Sequence, residues 1–187
     1  MIPFLMALLC FGCQGQEVVE APKPPQTPPP SEVKESEPVE PVQNKDPRYK
    51  AERVHQLKDL ATRTLKVGPT TLTVWLMDDG SKRAEGMMWL EPKDVKDREG
   101  MLFVFNDSQP RSFWMQNCPL GLDIIYIDAK GKVVSIGAGK PFDESGVPSK
   151  GPAKYVLELK SGKAKQFGIK TGTQIPIPKD VKSKDGG

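Results

Sequence analysis

Histidine and cysteine are scarce in this chain. Among its 187 residues, His55 is the one histidine, and of the three cysteines Cys10 and Cys13 stand near the start while Cys118 lies alone in the body. A disulfide within the body is therefore excluded, and mechanisms that need a histidine base or a His-rich metal cluster are poorly supplied. We expect no cofactor.

An excess of charge of one sign is also missing. The chain has 27 basic and 24 acidic residues, a net charge of +3, and no concentration of positive charge of the kind that binds phosphate groups. Nucleic acid is therefore not an expected partner. Apolar residues make up only 37% of the chain whereas prolines number 19, a mixture that predicts a globular part joined to a segment unable to bury a core.

The N-terminus has the pattern of an export signal. Residues 2–11 are almost wholly apolar and lead into Gly12-Cys13, and a run of about ten apolar residues suits a signal peptide but is too short to span a bilayer. We predict a lipoprotein-type signal over residues 1–13 with lipidation at Cys13, although Phe11 replaces the usual small residue and no basic residue opens the chain. An ordinary cleaved signal peptide is the alternative. Both place the protein in the bacterial cell envelope, on the periplasmic or surface side, lipid-anchored or secreted.

Three further segments flank the probable domain. Residues 14–47 are rich in proline and glutamate and are predicted to form a disordered, extended linker, because proline removes backbone donors and few apolar groups offset the ordering entropy. Residues 48–63 carry apolar side chains at helical spacing, which predicts an amphipathic helix. Residues 179–187 alternate lysine with aspartate and are predicted to be a flexible tail.

From residue 64 the apolar period changes to two. Strands are predicted over residues 64–67, 71–77, 101–105, 111–115, 122–128, 132–137 and 155–159 and near 173–177. Short helices are predicted to start at Ser81 and Ser161. The pattern predicts a mainly β domain over residues 64–178, either a small sandwich or a partly open, jelly-roll-like barrel, with two or three short helices.

Four sequence blocks carry a family resemblance. They are AEGMMW (84–89), EGMLFVF (99–105), PRSFWMQNCPLGLDIIYID (110–128) and GPAKYVLEL (151–159), the last followed by FGIKTG. In order and spacing they resemble the bacterial and archaeal family called domain of unknown function 192. The resemblance implies a mainly β fold with jelly-roll-like or barrel character and a frequent preceding signal peptide, but no established activity. The chain departs from the family pattern at Glu85, where an arginine-like residue is common, and at Cys118, where threonine is common.

The candidate ligand-binding residues lie on the predicted strands when PRSFWMQN (110–117) is treated as one extended strand, in which alternation places Arg111 and Asn117 on one face and Trp114 on the other. They are Arg111, Trp114, Asn117, Asp123 and Glu158. A guanidinium and an amide could orient a small polar ligand while an indole stacks on it. The alternative, which we favour, is a structural ion pair between Arg111 and Asp123.

The sulfur-containing residues suggest a second site. Met88, Met101 and Met115, with Met87 and Cys118, could bind a soft ion such as Cu(I). Methionine is a common core filler, however, and no MxxM or CxxC cluster is present, so core packing is favoured and no metal is predicted. Cys118 has no histidine in the domain to activate it, which indicates an idle thiol rather than a nucleophile.

Together these features predict a non-enzymatic, membrane-tethered and monomeric binding module for a small ligand, a glycan or an envelope protein. One alternative is a hydrolase or lyase that uses Asp123 and Glu158 with Arg111 as anion holder; two carboxylates about 5–10 Å apart in a cleft would favour it. The other is soft-metal handling, which would need at least three of the sulfurs to converge.

Overall fold

The alternating apolar segments of the C-terminal part form the strands of a mainly β fold, which confirms the predicted fold class. The structure is a computed structural model that describes residues 46–185. The predicted signal peptide, the lipidation site Cys13 and nearly all of the predicted linker lie outside the described residues. Within residues 46–185, no helix has the length and apolar character needed to cross a membrane.

Eight strands and three short helical segments make up the described part. The strands are β1 (Thr62–Val67), β2 (Thr70–Met77), β3 (Glu99–Gln109), β4 (Ser112–Phe113), β5 (Leu122–Ile127), β6 (Val133–Gly139), β7 (Val147–Pro148) and β8 (Ala153–Lys160). The helical segments are α1 (Gly80–Glu85), α2 (Lys163–Gln166) and a 3-10 turn at Leu57–Asp59.

One six-stranded sheet dominates the fold. Its strand order is β1-β2-β3-β8-β5-β6, and a separate two-stranded sheet pairs β4 with β7. In the large sheet β2 and β3 are parallel, while the other neighbours are antiparallel. The long strand β3 therefore joins the N-terminal hairpin to the β8-β5-β6 half.

Both faces of the large sheet are covered by apolar side chains. The front core includes Met101, Phe103, Ile124, Tyr126 and Val156 from the central strands, with Phe113 of β4 and Val147 of β7 packed against it. The back core includes Leu102, Val104, Ile125, Tyr155 and Leu157, covered by α2 and the segment that follows it. Since successive residues of a strand point to opposite faces, strands buried on both sides have continuous apolar sequences such as LDIIYI.

Two tight turns set the register of the edge strands. Gly68 and Pro69 join β1 to β2, with Val67 opposite Thr70, and Gly68 adopts a positive φ of 55°. Between β5 and β6 the Asp128 carboxylate accepts hydrogen bonds from the backbone N–H groups of Lys130 and Lys132. The predicted strands over 64–67 and 71–77, and those over 122–128 and 132–137, thus pair as two antiparallel hairpins.

The amphipathic helix predicted over residues 48–63 is wrong. This stretch contains turns, the short 3-10 turn and the start of β1, and Val54, assigned to the apolar helix face, is 81% exposed. The physical reason is that side chains take up the backbone groups a helix would use. The Gln56 amide bonds to the backbone of both Lys50 and Arg53, and such side-chain bonds compete with helical ones.

The flexible tail predicted over residues 179–187 is also wrong for the residues described. Val181 is 4% exposed and belongs to the back core. The Lys184 ammonium lies 2.9 Å from the Asp78 carboxylate, and Asp185 forms an ion pair with Arg83. The alternating charges of the tail therefore pair with the domain instead of facing only solvent.

Several predicted element boundaries differ from those observed. Only Ser112–Phe113 of the predicted strand over 111–115 is a strand, and near 173–177 the structure has a single bridge between Lys132 and Gln174. The Asp79 carboxylate, not Ser81, caps α1 by accepting from Lys82 N. The N-cap residue of α2 is Gly162, which has no side chain to form a cap, so Ser161 is not the cap of this helix.

Candidate functional site

Arg111 is held in a structural cluster. Its guanidinium lies over the ring of Phe105, 3.4 Å from the ring centre, donates to the Ala153 carbonyl oxygen at 2.8 Å and pairs with the Asp107 carboxylate. The ion pair expected between Arg111 and Asp123 is therefore wrong. Through these contacts the Arg111 guanidinium links β3 to the first residue of β8.

Asp123 lies on the back face of the sheet. Its carboxylate accepts a hydrogen bond of 2.7 Å from Ala164 N in the first turn of α2. Across β5 and β8, Asp123 stands opposite Leu159 and Ile124 opposite Glu158. Because side chains alternate along a strand, Asp123 and Glu158 project from opposite faces. The structure does not bring these two carboxylates together as an acid–base pair.

The front face of the sheet carries a pocket that contains Glu158. Residues 83–88 and 113–116 with Cys118 form its walls, and Phe103, Leu122 and Glu158 come from the sheet beneath. We call it the Glu158 pocket. Its cavity volume is about 40 Å³. Its lining combines aromatic and sulfur-containing side chains with four charged or amide side chains, those of Arg83, Glu85, Gln116 and Glu158. A cleft that combines an apolar lining with a few polar groups is a usual setting for a small ligand.

The Glu158 carboxyl group is buried and lacks a partner. The residue is 3% exposed, and within residues 46–185 the Oε2 atom has no hydrogen-bond partner. It stands between Met101 of β3 and Ile124 of β5, so the apolar neighbours exclude water. Burial raises the pKa of Glu158 to about 8, because an ionised carboxylate is poorly solvated there. The group is therefore largely protonated at neutral pH.

Two further titratable groups of the front core lie near this carboxyl group. Burial, and to a smaller extent Glu158, raises the pKa of the Cys118 thiol to about 12. The same two causes raise the pKa of Tyr126, whose hydroxyl donates to the Val147 carbonyl oxygen. Both groups are neutral at physiological pH. The expected idle thiol at Cys118 agrees with this environment, since a protonated thiol is a weak nucleophile.

One wall of the pocket is held by Arg53, which lies outside the blocks of the family resemblance. Its Nη1 donates to the carbonyl oxygens of Gly86 (2.9 Å) and Met88 (2.6 Å), and its Nη2 lies 3.3 Å from the Glu85 carboxylate. Glu85 in turn accepts from Val54 N and His55 N. The departure at Glu85 therefore accompanies a buried ion pair with Arg53.

Sequence reasoning did not identify Arg53 as part of this site. Its charge suited the polar side of the helix that was expected over residues 48–63. The usable signal was Glu85 itself, a carboxylate where the family commonly has a basic residue.

Trp114 and Asn117 lie at the edge of the pocket. Trp114 is 51% exposed and lines it, and its exposed flank faces solvent. Asn117 does not line it but adopts a positive φ of 53°, and its carbonyl oxygen accepts from Trp89 N at 2.8 Å. Trp89 and Phe142 also have positive φ, and Phe142 N donates to the Cys118 carbonyl oxygen. Among the residues described, all non-glycine residues with positive φ thus meet beside this pocket, as strained backbone does at functional sites.

The methionines proposed as soft-metal ligands divide between the pocket and the core. Met88 and Met115 line the pocket, as Met87 and Cys118 do. Met101 is fully buried on β3, where it pairs with Glu158 of the neighbouring strand β8. The Met115 sulfur packs closely against Gly139, which fits a core-filling role. No cluster of three or more His, Cys, Asp or Glu residues suited to a metal ion exists within residues 46–185.

Comparisons with known proteins agree with the fold and give no activity. The model of the DUF192 family, described as "Uncharacterized ACR", matches residues 62–177. The crystal structure of a putative transcription regulator from Sinorhizobium meliloti 1021 is similar, with 32% identity, a TM-score of 0.58, and coverage of 63% of this chain and 94% of that one. A protein of unknown function from Novosphingobium aromaticivorans DSM 12444 has 30% identity and a TM-score of 0.58 over 70% of this chain and 95% of its own. No match to a curated protein was found.

Proposed function

The chain belongs to the DUF192 family, and we propose that it is an exported, lipid-anchored module that binds a small molecule in the Glu158 pocket without transforming it. The observation that carries this proposal is the buried Glu158 Oε2 atom at the pocket, which has no hydrogen-bond partner among the described residues. A buried polar atom without a partner costs about 1–3 kcal/mol, and such atoms are rare unless function requires them. A ligand that supplies the missing hydrogen bond removes this cost.

The surroundings of Glu158 favour binding over catalysis. The second carboxylate of the pocket, Glu85, forms an ion pair with Arg53 and accepts hydrogen bonds from two backbone N–H groups. Asp123 caps α2 on the other face of the sheet. A hydrolase or lyase of the expected kind needs a second free acid or base beside the first. Cys118 is protonated and buried, so it does not supply that group either.

The shape of the site favours a small molecule over a glycan or an envelope protein. The polar group lies beneath the side chains of the wall residues, and the interior leaves room for about three water-sized groups. A glycan or a protein surface would contact the rim around Trp114 but leave Glu158 unpaired. A compact polar head with an apolar remainder satisfies both parts of the site.

Thermal shift on the full chain tests ligand binding. At a hundred times its dissociation constant a ligand stabilises the fold by about 2.7 kcal/mol, which raises Tm by roughly 5–10 °C for a domain of this size. We expect such a shift for at least one class among small amines, alcohols, carboxylates and sugars, and its loss in Glu158→Gln. The exposed residue Glu144 provides the control variant Glu144→Gln. No shift with any class, or equal shifts in both variants, would contradict binding in this pocket.

The lipid anchor is tested separately. The leader contains two cysteines, Cys10 and Cys13, which makes Cys10→Ser a matched control. We expect Cys13→Ser to lose both fatty-acid labelling and membrane fractionation while Cys10→Ser keeps them. A Cys13→Ser variant that still labels and still sediments with membranes would exclude the predicted anchor.

A further inference from the structure

We infer that the ligand of the Glu158 pocket is an organic cation, an amine whose ammonium group pairs with the Glu158 carboxylate while its apolar part rests on Trp114. The inference rests on the proposed function, because it names the chemical class that the same pocket accepts. It follows from the charges, the lining and the size of the pocket.

The charges around the pocket leave Glu158 without a counter-ion. The guanidinium of Arg83 is paired with Asp185, and that of Arg53 with Glu85. The neighbouring Cys118 and Tyr126 are neutral. Among the acidic groups described at this pocket, Glu158 is therefore the one without a cationic partner. Arg53 Nη2 is also buried without a hydrogen-bond partner, but Arg53 does not line the pocket.

The lining attracts cations as well. Phe103 and Phe113 pack edge to face, with ring centres 4.9 Å apart and planes at 85°, and both line the pocket together with half-exposed Trp114. Aromatic faces attract ammonium groups, indole most strongly, and more so where water is excluded. The thioethers of Met87 and Met88 add a polarisable surface. A neutral acceptor ligand would hydrogen-bond the protonated acid but would gain no cation–π attraction from these rings.

The interior matches an ammonium head in size. Room for about three water-sized groups admits an ammonium group with one or two methylenes. The rest of the ligand must then lie at the mouth, where Trp114 is 51% exposed. This division predicts that affinity depends on the charge at the head and on apolar area at the tail.

Binding of a cation also requires Glu158 to lose its proton. In the free protein most Glu158 groups carry a proton at pH 7, because burial raises the pKa to about 8. The groups that face it do not titrate in this range, since Cys118 has a pKa of about 12 and the pKa of Tyr126 is raised. Capture of an ammonium ion at pH 7 should therefore release protons, whereas a neutral ligand should release none.

Calorimetry on the full chain tests the inference with three probes that share one aromatic ring. They are 2-phenylethylammonium, 2-phenylethanol and 3-phenylpropionate, titrated at pH 7 in two buffers with different ionisation enthalpies. We expect the ammonium ion to bind at least tenfold more tightly than the alcohol, with a net release of protons, and the carboxylate not to bind. Glu158→Gln should weaken ammonium binding at least tenfold and abolish the proton release, while Glu144→Gln should change neither.

Tryptophan variants test the position of the tail. Trp114→Ala should weaken 2-phenylethylammonium binding about three- to tenfold, and Trp114→Phe should restore most of it. Tyr49 is also an exposed aromatic residue and does not line the pocket, so Tyr49→Ala is the control and should have little effect. Equal losses in Tyr49→Ala and Trp114→Ala would overturn the placement of the tail.

The outcomes separate this inference from the proposed function. If the alcohol or the carboxylate binds in a Glu158-dependent way and the ammonium ion does not, the pocket binds ligands but the inferred class is wrong. If Ag⁺, used as a soft-metal probe, binds through Glu158 and the sulfurs while the ammonium ion does not, the class is again wrong. If no probe of any class binds, the proposed function itself fails.

Discussion

At the scale of single residues, the Glu158 carboxyl group determines how the stability of the fold responds to pH. Its pKa rises from 4.5 to about 8 on folding because the charged form is buried. Between these values the unfolded chain releases the proton while the folded chain retains it. The free energy of unfolding is therefore highest below pH 4.5 with respect to this group, falls as pH rises to about 8, and is level above that.

Replacing Glu158 by glutamine should therefore stabilise the protein at alkaline pH. Glutamine keeps the shape of the protonated acid but cannot ionise, so the loss of about 1.4 kcal/mol per pH unit between the two pKa values disappears. We expect Glu158→Gln to exceed the wild type by a few kcal/mol at pH 8 and to match it near pH 4, measured by urea unfolding. A difference that does not vary with pH, or one shared by Glu144→Gln, would show that the carboxyl group is not buried in this way.

Sequence patterns identified some site residues and misplaced others. Glu158 could be recognised because an acid inside the apolar segment YVLEL of a strand covered on both faces must be buried. Arg111, Trp114 and Asn117 were assigned to faces by assuming one continuous strand. The chain leaves strand geometry after Phe113, and Asn117 adopts a left-handed backbone conformation. Alternation could not place these side chains because it does not hold through turns.

At the scale of elements, the contact between β3 and β8 positions Glu158. Gly100 of β3 pairs with Leu159 of β8. A Cβ atom at residue 100 would lie against the carbonyl oxygen of Glu158 and 2.6 Å from Leu159 Cδ2. Neither strand can move away to make room for this Cβ atom without losing the hydrogen bonds between β3 and β8. This close approach therefore requires glycine at residue 100.

A pair of glycine variants measures this approach. Gly100→Ala should destabilise the fold by about 1–3 kcal/mol or more through overpacking. Gly151 precedes β8, and a Cβ there meets nothing within 4 Å, so Gly151→Ala should be neutral or stabilise by about 0.4–1 kcal/mol. Chemical unfolding of both variants provides the comparison. Equal free energies of unfolding for the two variants would contradict the observed strand spacing.

Strand existence was easier to predict than strand ends. β3, β5 and β8 lie at the centre of the sheet, and their apolar segments predicted them. The same reasoning predicted a helix over residues 48–63, because Leu57 and Leu60 stand at helical spacing. Both are buried, but they lie in a 3-10 turn and in the residues that lead into β1. Which of these structures forms depends on the side-chain hydrogen bonds of Gln56 within the segment and on those of Glu85 from outside it, and the spacing of apolar residues carries no information about them.

At the scale of the whole molecule, segments from both sides of the family region close the fold. The family model matches residues 62–177, yet Leu57 and Leu60 belong to the front core and Val181 to the back core. Arg53 holds the wall at Gly86 and Met88, and Asp185 holds Arg83 on the same wall. The wall of the Glu158 pocket is thus fixed by residues that precede and follow the matched region.

Removal of the Arg53 guanidinium should therefore affect both stability and the pocket. Arg53→Met leaves the Glu85 carboxylate without its cation and two carbonyl oxygens without their donor. Breaking a buried ion pair on one side costs about 3–5 kcal/mol. Arg63 provides the control, since its ion pair with Asp180 is exposed and Arg63→Met should cost less than about 1 kcal/mol.

Hydrogen exchange on the same two variants locates the effect. We expect the backbone amides of residues 86–90 to exchange faster in Arg53→Met, because the wall loses the hydrogen bonds from Arg53 to Gly86 and Met88. The relative exchange rates of the β8 amides should not change. Affinity for 2-phenylethylammonium should fall in Arg53→Met and stay unchanged in Arg63→Met. If Arg53→Met is no less stable than Arg63→Met and exchange at residues 86–90 is unaltered, the wall is held by its own packing and not by the segment that precedes the family region.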